Sequence, residues 1–131
     1  MITKTFGYVQ PTSTTVAVIA TTNIVGANPA SGTPKPFWME SVVFQVLKTN
    51  TGTILICDTA NPNLTTGIGV LFEIPVPNSN DGKSLPAWVV GDPSRSNNPV
   101  NVAQFYILPS VSGEGVRVSA LRSGTSQNFL S

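Results

Sequence analysis

Short apolar runs separated by turn residues recur along the whole chain of 131 residues. The runs are rich in Val, Ile, Thr and Phe, which suit the pleated and half-buried surface of a strand. The 11 Gly and 11 Pro residues interrupt them so often that a long helix has no room. Seven strands are predicted in this way, at residues 14–22, 41–48, 53–58, 68–74, 86–90, 102–108 and 115–122.

Alternation within two of these runs predicts which side chains face a core, because successive side chains of a strand point to opposite faces. We expect the inward set to be Ile68, Val70, Phe72 and Ile74 in one run, and Val116, Val118 and Ala120 in the other. Residues 41–48 are apolar on both faces apart from Gln45. The runs 41–48 and 53–58 flank the sequence TNTG, which predicts a β-hairpin.

This spacing of strands and turns is typical of an all-β sandwich or small barrel. The length fits one domain over residues 1–131. Three long loops are expected, at residues 23–36, 78–86 and 91–99, and long loops are often functional. Residues 1–13 and 123–131 are predicted to be an extended N-terminal arm and C-terminal tail, which order against a neighbouring subunit.

Six residues are candidates for a protein interface. Phe6 and Tyr8 lie on the predicted arm, where we expect both rings to dock on a neighbour. Phe37, Trp38 and Met39 precede the second predicted strand, and Trp88 lies in a short one. These four are open to two interpretations, a partner anchor or a core position, since aromatic residues and Met are enriched at interface cores. At least one ring of the pair Phe37–Trp38 is expected in the core.

The charge content restricts the choice of partner. Charged residues make up 10% of the chain and the net charge is +1, whereas soluble proteins carry about 25% charged residues. The cations are scattered, so we expect no nucleic-acid partner. No apolar stretch reaches the roughly 18 residues that span a bilayer, and the first residues lack the apolar block of a secretory signal. We therefore expect no membrane association and synthesis in a cytoplasm.

Residues suited to catalysis are scarce. The chain has no His, which removes the commonest general base and metal ligand. Paired-carboxylate catalysis and Ca²⁺ binding in the polar loops remain open but disfavoured, because most acidic residues lie at strand ends or in turns. Cys57 lies in an apolar run and is expected to be a buried, inert thiol. We expect a protein that is not an enzyme and needs no cofactor or metal.

Residues 37–122 resemble small structural proteins of tailed bacteriophages, in particular head decoration, or cement, proteins. The matching segments are residues 50–54 (NTGTI), 57–58 (CD), 66–69 (TGIG), 98–102 (NPVNV), 105–107 (FYI) and 113–118 (GEGVRV). Loops 23–36 and 78–86 are longer than the pattern of that family. The extra length of these two loops leaves open whether they bind a second partner.

The resemblance implies a compact, jelly-roll-like β-sandwich, commonly a homotrimer. It also implies that the protein binds the major capsid protein on the outer surface of the phage head. Two other functions are considered. One is a tail, baseplate or head-fibre module; the other is a carbohydrate-binding sandwich that uses Trp38, Trp88 and Tyr106. If residues 1–10 form an arm, their deletion is expected to weaken assembly and leave the sandwich folded.

Overall fold

A computed structural model describes residues 2–27, 32–77, 85–91 and 99–122. The predicted C-terminal tail and parts of all three predicted loops lie outside these residues. The described strands are β1 (Ile2–Val9), β2 (Val18–Ile19), β3 (Trp38–Met39), β4 (Ser41–Val46), β5 (Ile54–Cys57), β6 (Val70–Ile74), β7 (Ala87–Gly91), β8 (Val100–Asn101), β9 (Tyr106–Pro109) and β10 (Val116–Arg122). A short 3₁₀ helix (Val102–Gln104) follows β8.

Eight of the strands form two four-stranded antiparallel sheets. The first sheet has the order β1-β10-β4-β7 and the second the order β2-β9-β5-β6, while β3 and β8 form a small separate pair. The chain passes repeatedly from one sheet to the other, which is the strand arrangement of a jelly roll. The predicted all-β, jelly-roll-like sandwich of short antiparallel strands is therefore confirmed.

The core lies between the two sheets. The first sheet contributes Val42, Phe44 and Val46 from β4, and the predicted inward set Val116, Val118 and Ala120 from β10. The second sheet contributes Ile54, Ile56, Ile74 and Ile107. All ten side chains are fully or almost fully buried. Each large one contributes about 1.5–3 kcal/mol of transfer free energy, so the sandwich is stabilised mainly from this layer.

The hairpin predicted for residues 41–58 is wrong. β4 pairs with β10 and β7 in the first sheet, whereas β5 pairs with β9 and β6 in the second. Residues 47–53 therefore cross between the sheets. A turn sequence with flanking strands looks the same in a hairpin as in a crossover between two sheets. Here the two strands lie in different sheets and face each other across the core.

The predicted N-terminal arm is also wrong over residues 2–9. These residues form β1, an eight-residue strand that pairs with β10 along its whole length. Phe6 is 1% exposed and contacts the Phe37 ring edge-on at 5.5 Å. Because Phe6 lies in the protein's own core, it cannot dock on a neighbour without unfolding β1. Deletion of residues 1–10 is thus expected to remove a core strand, contrary to the expectation from the arm.

A bulge explains why β1 did not show the alternation of a strand. The register with β10 shifts between Thr5 and Gly7, so Phe6 and Val9 both point inward while Tyr8 points outward. Gly7 adopts a φ of +79°, which favours glycine. Asn23 donates from Nδ2 to the carbonyl oxygens of Phe6 (3.1 Å) and Tyr8 (2.8 Å). These bonds cover part of an otherwise open strand edge.

Three further strand predictions need correction. Ile68 precedes β6 in a turn and is 73% exposed. Val70 is half-buried, but it packs with Cys57 and Leu108 on the outward side of the second sheet. The inward set is therefore correct for the buried Ile74 and for Phe72, which lies opposite Ile56 and is 38% exposed at the edge of the sheet. The predicted strand 14–22 shortens to β2. The predicted strand 102–108 divides into the 3₁₀ helix and β9, because Asn101 caps the helix by accepting from the Ala103 amide.

Polar contacts tie two crossovers together at one end of the sandwich. The Glu114 carboxylate accepts hydrogen bonds from the Thr51 amide (2.7 Å), the Gly52 amide (2.8 Å) and the Thr51 hydroxyl (2.8 Å). Asn50 is buried; it donates to the Gly115 carbonyl at 2.8 Å and accepts from the Gly115 amide at 3.4 Å. We call residues 50–52 with 113–115 the crossover lock. Motif segments that carry the phage resemblance thus have a folding role.

The burial of Phe6 leads to a test of β1. Phe6→Ala is expected to lower the free energy of unfolding by about 3–5 kcal/mol, because it leaves a cavity in the core. Tyr8→Ala is the matched control, since Tyr8 is 56% exposed on the same strand, and it is expected to cost less than about 1 kcal/mol. Urea unfolding measures both values. Equal, small losses would show that β1 does not contribute to the core.

The crossover lock leads to a pH-dependence test. Partial burial raises the pKa of Glu114, but the hydrogen bonds from Thr51 and Gly52 outweigh it and hold the pKa below its usual 4.5. The stabilisation is therefore present above about pH 4.5 and is lost as the pH falls through the lowered pKa. Glu114→Gln is expected to cost about 1 kcal/mol at neutral pH, a value discounted for solvent screening.

Urea unfolding of both proteins across the acid range measures this difference. It is expected to shrink as the pH falls below the pKa of Glu114, since both proteins then carry a neutral side chain. Glu73→Gln, at an exposed carboxylate on β6, is the control and is expected to change little. A constant difference between wild type and Glu114→Gln at every pH would contradict the role of the ionised carboxylate.

Candidate functional site

The outward side chains of the first sheet form one continuous surface, which we call the outer face. The register places three positions of each strand on it, and all of them except the buried Ser41 are exposed or half-buried. They are Thr3, Thr5 and Tyr8 from β1; Arg117, Ser119 and Leu121 from β10; Ser41, Val43 and Gln45 from β4; and Ala87, Val89 and Gly91 from β7. The inward neighbours of the β4 and β10 positions belong to the core, so the two sets are on opposite sides of the sheet.

The outer face is almost free of charge. Arg117 is its only charged residue, and it lies opposite Tyr8 in the register with its guanidinium carbon 5.8 Å from the centre of the Tyr8 ring. The remaining positions are hydroxyl, amide, glycine or aliphatic side chains. The cores of protein interfaces are likewise poor in charged residues but retain aromatic residues and Arg.

Residues of the chain cover part of the outward side of the second sheet, although Glu73 on its edge strand β6 is exposed. Cys57 and Leu108 on this side are fully buried beneath Ala17 and form a second small cluster with it. The Ala17 amide bonds to the carbonyl of Ala60 at 2.8 Å, which fixes the covering segment. On the outer face of the first sheet, by contrast, Val89 and Tyr8 are 57% and 56% exposed within the described part of the chain.

An aromatic stack closes the flank where the edge strands of the two sheets meet. The Phe72 ring on β6 stacks on the Trp88 ring on β7, with centroids 5.0 Å apart and an interplanar angle of 2°. Trp88 also stacks on the buried Phe44 at 6.0 Å and meets Phe105 edge-on at 6.2 Å. Trp88 therefore joins the sheets, and Phe72 is the ring of this stack that is exposed in the described part of the chain.

The six predicted interface residues fall into three groups. Phe6, Phe37 and Met39 are buried in the core, so their prediction as interface residues is wrong, although a core position for one ring of Phe37–Trp38 is confirmed. Trp88 is half-buried in the aromatic stack. Tyr8 and Trp38 are exposed, and they lie on the separate strands β1 and β3. Of the six, only Tyr8 belongs to the outer face.

Sequence reasoning missed most of the outer face, although one signal was present. The run 41–48 is apolar on both sides, and an antiparallel sheet with one wet face normally shows polar residues there. Val43 on β4 and Leu121 on β10 are outward positions of this kind, and both are half-buried.

Cys57 is poorly suited to nucleophilic chemistry. Burial and, to a lesser degree, the charge of Asp58 raise the pKa of the Cys57 thiol to about 11. The thiol therefore keeps its proton at neutral pH, and the thiolate is the reactive form. The predicted buried position of Cys57 is confirmed.

The described residues offer neither a cluster of metal ligands nor a membrane-spanning helix. Within residues 2–27, 32–77, 85–91 and 99–122, no three His, Cys, Asp or Glu side chains come together in a way that would hold a metal ion. The same residues include no helix with the length and apolar character needed to cross a membrane.

Comparison with known proteins gives no relative: no family model, no curated protein and no solved structure matches this chain.

The raised pKa of Cys57 predicts slow alkylation. At about pH 8 iodoacetamide is expected to label the folded protein about 100-fold more slowly than the urea-unfolded protein, because the thiolate fraction differs by about that factor. Stability is expected to fall as the pH rises from 9.0 towards 11, since the unfolded chain releases this proton first. Mass spectrometry measures the labelling. Equal labelling rates in both states would show that the thiol is accessible.

Proposed function

We propose that this chain is a non-enzymatic structural protein of a tailed-phage particle. It acts as a decoration protein that assembles as a homotrimer and binds the major capsid protein on the outside of the head. A jelly roll alone does not select this role, since the same fold serves capsid proteins, lectins and cupins. The observation that carries the proposal is the outer face, which is uncharged apart from Arg117.

The size of the outer face supports assembly through several contacts. Four strands about 4.8 Å apart, with about six residues each, make a surface of roughly 20 by 20 Å, or roughly 400 Å². A stable two-body complex buries about 800 Å² on each partner. The outer face supplies only part of that area, so the remainder has to come from loops or from repeated contacts. A closed trimer sums weak contacts into one stable attachment.

The charge of the outer face supports a permanent attachment. An interface with a single Arg gains little from long-range attraction and loses little to salt screening. An interface made of apolar and hydroxyl groups is instead stabilised by its buried area and close packing. These properties fit a protein that attaches once to a completed shell, which agrees with the resemblance to cement proteins.

The proposal predicts that a charge on the outer face disrupts assembly. Val89→Asp is expected to convert the trimer to a monomer and weaken binding to expanded heads at least tenfold, because an unpaired carboxylate would be buried at the interface. Leu64→Asp is the matched control: Leu64 is 53% exposed and Val89 57%, but Leu64 lies between β5 and β6. The control is expected to assemble and bind as wild type does.

Analytical ultracentrifugation and co-sedimentation with heads lacking this protein measure both effects. A wild type that stays monomeric and does not sediment with heads would refute the proposal. Imaging of particles separates the related roles, because density over the head lattice indicates decoration. Density confined to the tail would place the protein in a tail or baseplate instead.

A further inference from the structure

A cleft of about 630 Å³ opens at the end of the sandwich opposite the crossover lock. β5 begins beside the lock and ends at Cys57, and its antiparallel partner β9 begins at Tyr106, so Asp58 and Tyr106 both lie at the far end. The cleft is lined by Asp58, Leu71, Asn101, Gln104, Phe105 and Tyr106, together with two residues of the β2–β3 connection. Its volume is within the range of about 300–1,000 Å³ of small-molecule sites.

The polar groups of the cleft are available to a ligand. Asp58 and Gln104 are exposed, and no hydrogen bond to another described residue involves the side chain of either one. Asn101 is held in place because its Oδ1 accepts from the Phe37 amide at 2.9 Å and the Ala103 amide at 3.1 Å. That leaves the NH₂ group of Asn101 without a bond to any described residue. One carboxylate and two amide groups are thus presented at one site.

The apolar part of the lining is small and fixed. The Tyr106 ring is half-buried and packs on the second cluster of Cys57 and Leu108. Phe105 is buried beside Phe44, with ring centroids 5.4 Å apart. A ring held in this way is a rigid platform that loses little entropy when a ligand stacks on it.

The charges of the lining disfavour anionic ligands and Ca²⁺. Among the described lining residues there is no Lys or Arg, so none of them pairs with a phosphate or a carboxylate as anion sites do. Asp58 is the only carboxylate among the lining residues that the structure describes, whereas Ca²⁺ takes six to eight oxygen ligands, several of them carboxylates. A neutral ligand with many hydroxyls and an apolar face matches the carboxylate, the two amide groups and the aromatic ring of this lining.

We propose that this cleft binds a neutral saccharide. Adjacent sugar hydroxyls donate to the Asp58 carboxylate and accept from the amide groups of Gln104 and Asn101. The C–H face of the sugar ring packs on Tyr106, as ligands do on aromatic side chains with one wet end. The site is separate from the outer face, so it is independent of the capsid role proposed above.

Titration of the ¹⁵N-labelled full chain tests the proposal. The probes are the methyl glycosides of glucose, galactose and N-acetylglucosamine, together with lactose and maltose. At least one is expected to shift the amide signals of Asp58 and of residues 101–106. Asp58→Ala and Gln104→Ala are each expected to weaken that binding about tenfold, the loss of one hydrogen bond to a ligand. Both side chains are exposed, so both variants are expected to keep the wild-type unfolding midpoint.

Gln45→Ala, on the outer face, is the control and is expected to bind as wild type does. The proposal is overturned if none of the five probes shifts these signals, if the shifts map to another surface, or if the two cleft variants bind with wild-type affinity. Shifts caused by CaCl₂ and by none of the saccharides would also overturn it. None of these outcomes bears on trimer formation or head binding, which the Val89→Asp experiment tests.

Discussion

The structure depends on the insertion of the last described strand, β10, between β1 and β4. Residues at the two ends of the described chain meet there, with Ile2 opposite Arg122, and such distant pairing has to be closed against a large loss of chain entropy. The crossover lock lies directly before β10 and holds its first residues in place. Gly115 approaches the Val9 carbonyl so closely that an added Cβ would overlap it. Any displacement of β10 would therefore disturb both the core layer and the outer face, since the two share this strand.

The sequence was sufficient for the class of fold and for individual strands with regular alternation. β10 carries its buried residues at every second position, and β4 does so from Val42 onwards; both were predicted nearly to their ends. The sequence did not allow the strands to be assigned to sheets. The TNTG segment gives the same local signal for a hairpin as for a crossover, and only the distant partners Glu114 and Gly115 make it a crossover. β1 was missed for a related reason, because the bulge at Phe6 and Gly7 breaks the alternation that identifies a strand.

The candidate surfaces, too, depend on contacts between residues that are distant in sequence. The sequence predicted a surface poor in charge, but the outer face exists only because four strands from separate parts of the chain present Tyr8, Val43, Val89 and Leu121 on one side. Aromatic residues were a weaker guide, since a large ring in a small sandwich is needed first for the core. Phe6 and Phe37 are buried there together with the aliphatic Met39, and Trp88 closes the flank between the sheets. The cleft has a similar origin: Asp58 and Gln104 are distant in sequence and lie together because β5 and β9 pair.

The two sheets of this sandwich differ in how their outward sides are treated, and that difference is the physical basis of the proposed role. The segment between β1 and β2 has to cross from one sheet to the other, and on its way Ala17 covers Cys57 and Leu108. No described segment makes the same passage over β10 and β4. Apart from Arg117, their outward side chains are neutral and partly apolar. Each exposed square ångström of apolar surface costs roughly 25 cal/mol relative to burying it. A second protein surface on this side would recover that free energy with only the charge of Arg117 to desolvate among the described residues of the outer face, and this is the physical basis of the attachment that we propose.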